Sequence, residues 1–300
     1  MRILERQLLD ELLKDESVFP KVKLEVLLFT HFGLRGCSQV TIPAELPGGA
    51  EMGQKIDEMV QPHLMKLPTI TEPRDRLMAV RALKEMMEKG FEEHVEESAS
   101  YKALYRWTDR LGLKSQQSKV RPTVHEIYVF KDGSARRELT DLLRDRDKLR
   151  QAAVRKPDPK GGGMRFAYPE EFDRKWIRRM GRLLGYPPCC VDRYAEDRVN
   201  GVNVETRASS QLAEAIKAGQ QINSLAYPLS YFFPCKPDCP ASTALGSAWR
   251  RKLEELDPQL STMYGGLVRL NTHMVLKQPE IIQRYVSQFQ PPKEEEKRGT

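Results

Sequence analysis

The sequence predicts a mainly α-helical fold. A minor strand or hairpin near residues 123–131 would make it an α+β fold. Apolar residues recur three and four positions apart through most of the N-terminal half, which is the spacing of one helix face. One stretch near residue 124 is instead rich in β-branched and aromatic residues, as strands are. We expect a helical N-terminal part followed by a second helical part that contains four of the five cysteines.

The N-terminal half begins with two amphipathic segments. "ILERQLLDELLKD" places its leucines on one stripe, and "KVKLEVLLFTHF" continues as a second helix after Pro20. Two prolines and two glycines in "VTIPAELPGGAE" then interrupt the pattern. Helical spacing resumes at Gln54 and extends to about Leu113, which predicts a helical bundle. In its clearest segment five apolar side chains are expected to face inward: Leu77, Met78, Val80, Leu83 and Met86.

Near residue 124 the pattern changes from helix to strand. "TVHEIYVFKDGS" stops at Asp132-Gly133, a turn signal, and the charged "ARRELTDLLRDRDKLRQAAV" then returns to helical spacing. The run "RKPDPKGGGMRFAYPEE" combines prolines and glycines with little apolar content, as linkers do. We predict four regions: a mainly helical N-terminal domain (1–155), a Pro/Gly-rich linker or loop (156–170), a four-cysteine domain (171–290) and a disordered tail (291–300).

Composition limits the classes to which this chain can belong. Hydrophobic residues make up 40% of the 300 residues, charged residues make up 30%, and the mean hydropathy is -0.57, as in globular proteins. No apolar run approaches the roughly 20 residues of a membrane helix, and the charged N-terminus lacks the apolar stretch of a secretory signal. We expect a cytoplasmic protein without a membrane partner. The net charge of +7 favours anionic partners without identifying one.

A helix is expected to lead directly to the first cysteine pair. "DRKWIRRMGRLLGYPP" has one apolar face and ends at Gly185, a plausible helix C-cap. Pro187 and Pro188 suit the first turn of the next helix, so Cys189 and Cys190 are predicted to lie at a helix N-terminus.

The four cysteines form two pairs flanked by prolines. Cys189 and Cys190 are adjacent, and 44 residues separate Cys190 from Cys235, which is followed by Cys239 in "PCKPDCP". A helix N-terminus favours thiolates through its free N–H groups, and prolines hold an irregular loop in one shape. In a reducing compartment such pairs indicate metal or redox chemistry more than disulfides. We therefore predict that these four residues bind a metal or cofactor.

The identity of that cofactor is less well defined by the sequence. Structural zinc favours cysteines about two to four residues apart, so the adjacent pair is awkward for one tetrahedral ion. Neighbouring side chains can instead reach different irons of an iron–sulfur cluster. We therefore favour a 4Fe-4S cluster, with zinc as the alternative and a 2Fe-2S cluster third. If all four cysteines bind a cluster, we expect electron transfer with a redox partner. If one iron lacks a protein thiolate, that iron could bind an anionic small molecule and the chain would be an enzyme. The sequence leaves open which of these applies.

The order of the cysteines resembles two known patterns. It is similar to the cysteine-rich domain of heterodisulfide reductases, but this chain has Val191 where that family has glycine, and three residues separate its second pair. Adjacent cysteine ligands also occur in cluster-bearing small subunits related to respiratory complex I. Residues 182–242 resemble more closely an uncharacterised prokaryotic family with a GYPxCC and PCxxxCP signature. That resemblance implies that the four cysteines act together and implies no activity.

Other candidate residues are weaker. Cys37 is expected to be a lone core cysteine, although it could join the site. No HxxxH pair occurs among the five histidines, and His273 is kept only as an outside ligand. "KGGGM" lacks the ending of a phosphate-binding loop, and the chain contains no G-x-S-x-G motif.

Basic residues line the helix before the first cysteine pair, and a solvated face is the expected interpretation. The alternatives are a phosphate, an acidic partner or nucleic acid, although no aromatic interleaving or nucleic-acid motif accompanies them. Two further hypotheses therefore stay open: a zinc-stabilised basic module that binds nucleic acid or protein, and a redox switch of the adjacent thiols. The basic residues are Arg174, Lys175, Arg178, Arg179 and Arg182.

Overall fold

The structure is a computed structural model that describes residues 6–156 and 162–288, with side chains described as far as residue 283. The chain divides into two compact units. The first unit contains residues 1–147 and 183–185, and the second unit contains residues 148–182 and 186–300. The predicted tail and residues 157–161 of the predicted linker lie outside the described residues.

Helices make up most of the first unit, as the apolar periodicity predicts. The second amphipathic segment forms a π-helix over Val22–Leu28, all of it buried, before a short α-helix. Residues Leu67–Thr69 form a 3-10 turn and residues Glu92–Glu96 form a π-helical turn. The α-helices are α1 (Arg6–Lys14), α2 (Phe29–His31), α3 (Gly49–Lys66), α4 (Pro73–Phe91), α5 (Ala99–Arg110) and α6 (Gly133–Arg155), which extends into the second unit.

Three antiparallel strands accompany these helices, in the order β1–β3–β2. They are β1 (Cys37–Ile42), β2 (Lys114–Arg121) and β3 (Val124–Phe130). Cys37 and Lys114 both pair with Phe130, so β3 lies at the centre of the sheet. The predicted minor strand near residues 123–131 is therefore confirmed as the central strand of a small sheet. Its turn signal has a different role, because Asp132 Oδ1 accepts from the backbone N–H groups of Ser134 and Ala135 at the start of α6.

One prediction for α4 is wrong. Leu77, Met78 and Val80 do not face inward, because their exposed fractions are 52%, 57% and 46%. The close approach of α3 and α4 is near the far end of α4, where a Cβ atom on Gly90 would lie 2.6 Å from Met59 Cε. Leu83 is buried as predicted, at 7% exposed. The apolar residues of α4 that lie nearer the α3–α4 connection are therefore exposed to solvent.

The described residues of the second unit form helices joined by turns and loops, without a strand. A short helix over Gly162–Ala167 lies within the segment predicted as linker, and a 3-10 turn over Pro169–Phe172 begins in that segment and ends beyond it. Leu183 is grouped with the first unit. A 3-10 turn over Ser224–Ala226 precedes the loop that contains the second cysteine pair. The helices are α7 (Gly162–Ala167), α8 (Arg174–Leu183), α9 (Pro188–Val199), α10 (Val204–Lys217), α11 (Pro240–Leu256) and α12 (Pro258–Gln288).

Two apolar clusters pack these helices. Leu212 of α10 and Val275 of α12 belong to one buried cluster with Tyr227, which follows the 3-10 turn. Ile177 of α8 packs against Val191 and Ala195 of α9. The second cluster therefore lies beside the first cysteine pair. None of the described helices is both long enough and apolar enough to cross a membrane.

Candidate metal centre

The end of α8 and the start of α9 position the first cysteine pair. Gly185 has a φ of 76°, and the N–H of Tyr186 donates to the Gly181 carbonyl at 2.9 Å, which closes α8 as a Schellman motif. Pro187 is the N-cap of α9 and Pro188 its first residue. Both the predicted C-cap and the predicted helix N-terminus are confirmed. Cys189 and Cys190 consequently lie in the first turn of α9.

The second cysteine pair leads into another helix. The N–H of Cys239 donates to the Lys236 carbonyl at 3.1 Å, which closes a turn after Cys235. Cys239 is the N-cap of α11, and Pro240 is the first helical residue. Three of the four sulfurs therefore belong to residues at the N-termini of two helices, where partial positive charge accumulates.

The four sulfur atoms converge on one small region. Cys189 Sγ lies 3.9 Å from Cys190 Sγ and 3.7 Å from Cys239 Sγ. The Cys190 and Cys239 sulfurs are 3.6 Å apart. All four sulfur atoms, including that of Cys235, lie within 4.8 Å of one another. The group could hold a metal ion.

Burial differs among the four thiols. Cys190 and Cys239 are 2% and 1% exposed, Cys235 is half-buried and Cys189 is exposed. None of them forms a disulfide. The site is therefore anchored in the interior by two sulfurs and reaches solvent at Cys189.

The pKa values of these thiols follow their surroundings. Burial raises the pKa of Cys190, and burial together with neighbouring thiols raises the pKa of Cys235 to about 11. Burial also acts to raise the pKa of Cys239, but the backbone N–H of Ser242 and the other thiols outweigh it, so that this pKa is lowered. The sulfur at the N-terminus of α11 is thus the one best stabilised as a thiolate.

The two other candidate ligands are not part of this group. Among the described residues, the cluster of metal-ligating side chains comprises the four cysteines alone. His273 is exposed on α12. Cys37 lies in β1, fully buried, and burial raises the pKa of its thiol to about 12. It is the core cysteine that the sequence predicts.

A buried ion pair beside the site has no counterpart in the sequence prediction. Arg207 of α10 donates through Nε to Asp197 Oδ2 of α9 at 2.8 Å, and both side chains are less than a tenth exposed. Arg207 also donates through Nη1 to the carbonyl of Pro234, the residue before Cys235, at 2.8 Å. Arg207 thus links the helix of the first cysteine pair to the loop of the second. The sequence carries one sign of this ion pair. Arg193, a second partner of Asp197, precedes it by four residues, which is the spacing of a pair on one helix face.

An aromatic contact makes a second link between the two segments. The rings of Tyr186, just before α9, and Phe232, just before the second pair, have centroids 5.5 Å apart. The two segments that supply the sulfurs therefore touch through side chains as well as through the sulfurs themselves.

Comparison with known proteins gives one result. A family model described as "Protein of unknown function (DUF483)" matches residues 113–262, half of the chain, and this region contains all four clustered cysteines. No curated protein and no solved structure matches. The match agrees with the predicted uncharacterised family; the cysteine signature and the likeness to heterodisulfide reductases stay predictions.

Proposed function

The chain belongs to the DUF483 family, and from its sulfur geometry we propose that it binds one tetrahedral zinc ion through Cys189, Cys190, Cys235 and Cys239. The ion is the structural centre of a binding module in the second unit. One observation carries the proposal: three of the sulfur–sulfur distances are 3.6, 3.7 and 3.9 Å.

These distances match the ligand set of a single ion. Zinc–thiolate bonds are about 2.3 Å long, so the sulfurs of a tetrahedral site lie about 3.8 Å apart. In a 4Fe-4S cluster each thiolate binds a different iron, which requires a wider set of sulfurs. The adjacent cysteines are also less awkward than their spacing suggests, because the first turn of α9 brings their sulfurs within 3.9 Å. The separations therefore support zinc over the cluster that the sequence favoured.

The number and position of the ligands support a structural role. Four thiolates complete a tetrahedral shell and leave no position for substrate, whereas catalytic zinc keeps one open. Four thiolates around Zn²⁺ carry a net charge of about −2, which the N-termini of α9 and α11 favour. The ion joins α9 to a loop whose first cysteine, Cys235, is separated from Cys190 by 44 residues. Metal binding thereby contributes directly to folding of the second unit.

Metal and acid-labile sulfide analysis of the intact chain, purified under reducing and anaerobic conditions, tests the proposal. We expect one zinc per chain, no sulfide, and loss of the metal in a Cys189→Ser/Cys239→Ser double variant. A Cys37→Ala variant is the matched control and keeps its zinc, because Cys37 is a buried thiol outside the cluster. Iron with a similar amount of sulfide, a metal-free wild type, or zinc retained by the double variant would each overturn the proposal.

A further inference from the structure

A row of basic side chains faces solvent along α8. Arg174, Arg178 and Arg182 recur every four residues, and they are exposed together with Lys175. Four residues of α-helix rise about 6 Å, so these charges form a regular line. Arg178 also contacts Asp192 at 2.6 Å, with both side chains about half exposed. The helix thus presents an extended cationic edge, the shape that suits a polyanion.

The inner face of α8 is fixed on the helix that carries the first cysteine pair. A Cβ atom on Gly181 would lie 2.6 Å from a Cγ atom of Val191, so the two helices cross in close contact. Val191 directly follows Cys190, and Ile177 joins it in the same apolar cluster. Through this packing, the cationic helix is attached to the helix that carries two ligands of the proposed metal centre.

An exposed aromatic ring lies on the loop of the second cysteine pair. Tyr231 is 64% exposed and has a φ of 57°, a left-handed conformation that is uncommon for a residue with a side chain. The next residue, Phe232, is buried and contacts Tyr186, which lies four residues beyond Arg182. The loop therefore approaches the segment that follows α8 while it directs the Tyr231 ring to solvent. Strain of this kind often marks a functional position.

We propose that α8 and Tyr231 form a binding surface for single-stranded nucleic acid. The phosphates lie along the cationic edge and an unstacked base packs on the Tyr231 ring, the combination that such proteins use. The inference rests on the proposed function, since the metal centre holds both α9 and the Tyr231 loop. A membrane surface fits less well, because Ile177 and Met180 of α8 are buried and unable to enter lipid.

Fluorescence anisotropy tests this proposal, with the intact, zinc-loaded chain and labelled 12-nucleotide oligo(U) and oligo(dT) over a series of salt concentrations. We expect binding that weakens with salt. The triple variant Arg174→Gln/Lys175→Gln/Arg182→Gln reduces the slope of log affinity against log salt by about 2, at about 0.7 per phosphate contact. The charge-matched control Arg74→Gln/Arg76→Gln/Arg81→Gln, on exposed residues of α4, leaves both affinity and slope unchanged.

A second pair of variants separates stacking from charge. Tyr231→Ala is expected to weaken binding about tenfold without changing the salt slope, whereas Tyr231→Phe keeps the ring and most of the affinity. The proposal is overturned if the zinc-loaded chain does not bind oligonucleotide, if the two triple variants behave alike, or if Tyr231→Ala has no effect. Equal affinity for a duplex or for polyglutamate would also overturn it, since neither offers an unstacked base.

Zinc content and thermal unfolding, measured on the same samples, keep the two proposals distinguishable. Zinc-loaded, folded protein that fails to bind removes the nucleic-acid surface and leaves the metal centre standing. Protein that binds oligo(U) through α8 and Tyr231 but contains no zinc supports the surface and removes the metal centre.

Discussion

The two units of the chain are stabilised in different ways. Most of the largest fully buried side chains in the described residues belong to the first unit, among them Phe29, Phe91, Tyr128 and Phe130. The second unit contributes Tyr227 and Tyr264 to that set. It adds instead four converging sulfurs and a buried Arg207–Asp197 pair. A unit of similar length with fewer large apolar anchors depends more on cross-links between its segments.

The largest expected difference in stability between the two units should appear when the metal is removed. A strong chelator with reductant is expected to destabilise the second unit by several kcal/mol, because structural zinc contributes about 10 kcal/mol or more in small zinc domains. The first unit should keep its stability. Hydrogen exchange followed by mass spectrometry checks this: peptides from residues 186–283 should lose protection and peptides from residues 6–147 should not. Uniform loss in both units would show that the metal stabilises the chain as a whole.

Acid should reveal the same difference, because protons compete with the metal for thiolates. In the first unit, burial acts to raise the pKa of Asp15, but hydrogen bonds from Trp107, Ser17 and Arg106 lower it from 3.8 to about 2. A lowered carboxyl pKa adds stability above pH 3.8, which is lost only as the pH falls towards 2.

On lowering the pH we therefore expect metal release and unfolding of the second unit first, and unfolding of the first unit only in stronger acid. Circular dichroism with a fluorescent zinc indicator would follow both steps. A single transition, with metal release and complete unfolding together, would contradict this order.

Two buried arginines provide a matched test within the folded protein. Arg207 pairs with Asp197 beside the sulfur site, whereas Arg146 of the first unit pairs with Glu126 at 2.7 Å and is 4% exposed. Truncating either to alanine leaves a carboxylate with fewer partners, the buried Asp197 or the half-buried Glu126, and is expected to cost about 3–5 kcal/mol, with the larger cost at Asp197.

Only Arg207→Ala should also weaken zinc binding, by about 10- to 100-fold, since Arg207 holds the Pro234 carbonyl next to Cys235. Chemical denaturation and a competitive zinc titration measure the two effects. Equal zinc affinities in Arg207→Ala and Arg146→Ala would remove Arg207 from the support of the site.

The smallest expected effect concerns the contact between α8 and α9. Gly181→Ala places a methyl group against Val191 and should cost about 1–3 kcal/mol by overpacking. Gly266→Ala in α12 is the control, because no atom lies within 4 Å of the added Cβ, and it should stabilise by about 0.5–1 kcal/mol. Thermal unfolding compares them. A neutral Gly181→Ala would mean that α8 is less tightly fixed than the distances indicate.

The sequence predicted those parts of the fold whose signals are local. Helical spacing gave the fold class, and the strand composition of "VHEIYVF" gave β3, which is the buried central strand. The edge strand β2, "KSQQSKVR", is almost entirely polar and has no apolar alternation to detect. Leu77 and Met78 show the opposite error: their helical spacing predicted burial, but both side chains are exposed. Periodicity identifies an apolar helix face and does not tell whether another element packs against it.

In the candidate site too, the sequence predicted the local features and missed those that depend on distant segments. Pro187 and Pro188 predicted the helix N-terminus at the first cysteine pair, because proline acts on its own backbone and that of its neighbours. At the second pair the prolines predicted only a loop held in one shape, and the helix that begins at Pro240 was not predicted. The links from Arg207 to Asp197 and Pro234 depend on how α9, α10 and a distant loop meet. The directions of the adjacent Cys189 and Cys190 side chains also depend on the helical turn, and spacing alone pointed to a wider cluster.

X-ray absorption at the edge of the bound metal tests the central claim most directly, because it measures the ligand atoms and their distances in the intact protein. Our account predicts zinc with four sulfur neighbours at about 2.3 Å and no metal–metal scattering. A metal–metal shell with an iron edge, or nitrogen and oxygen ligands in place of sulfur, would contradict it.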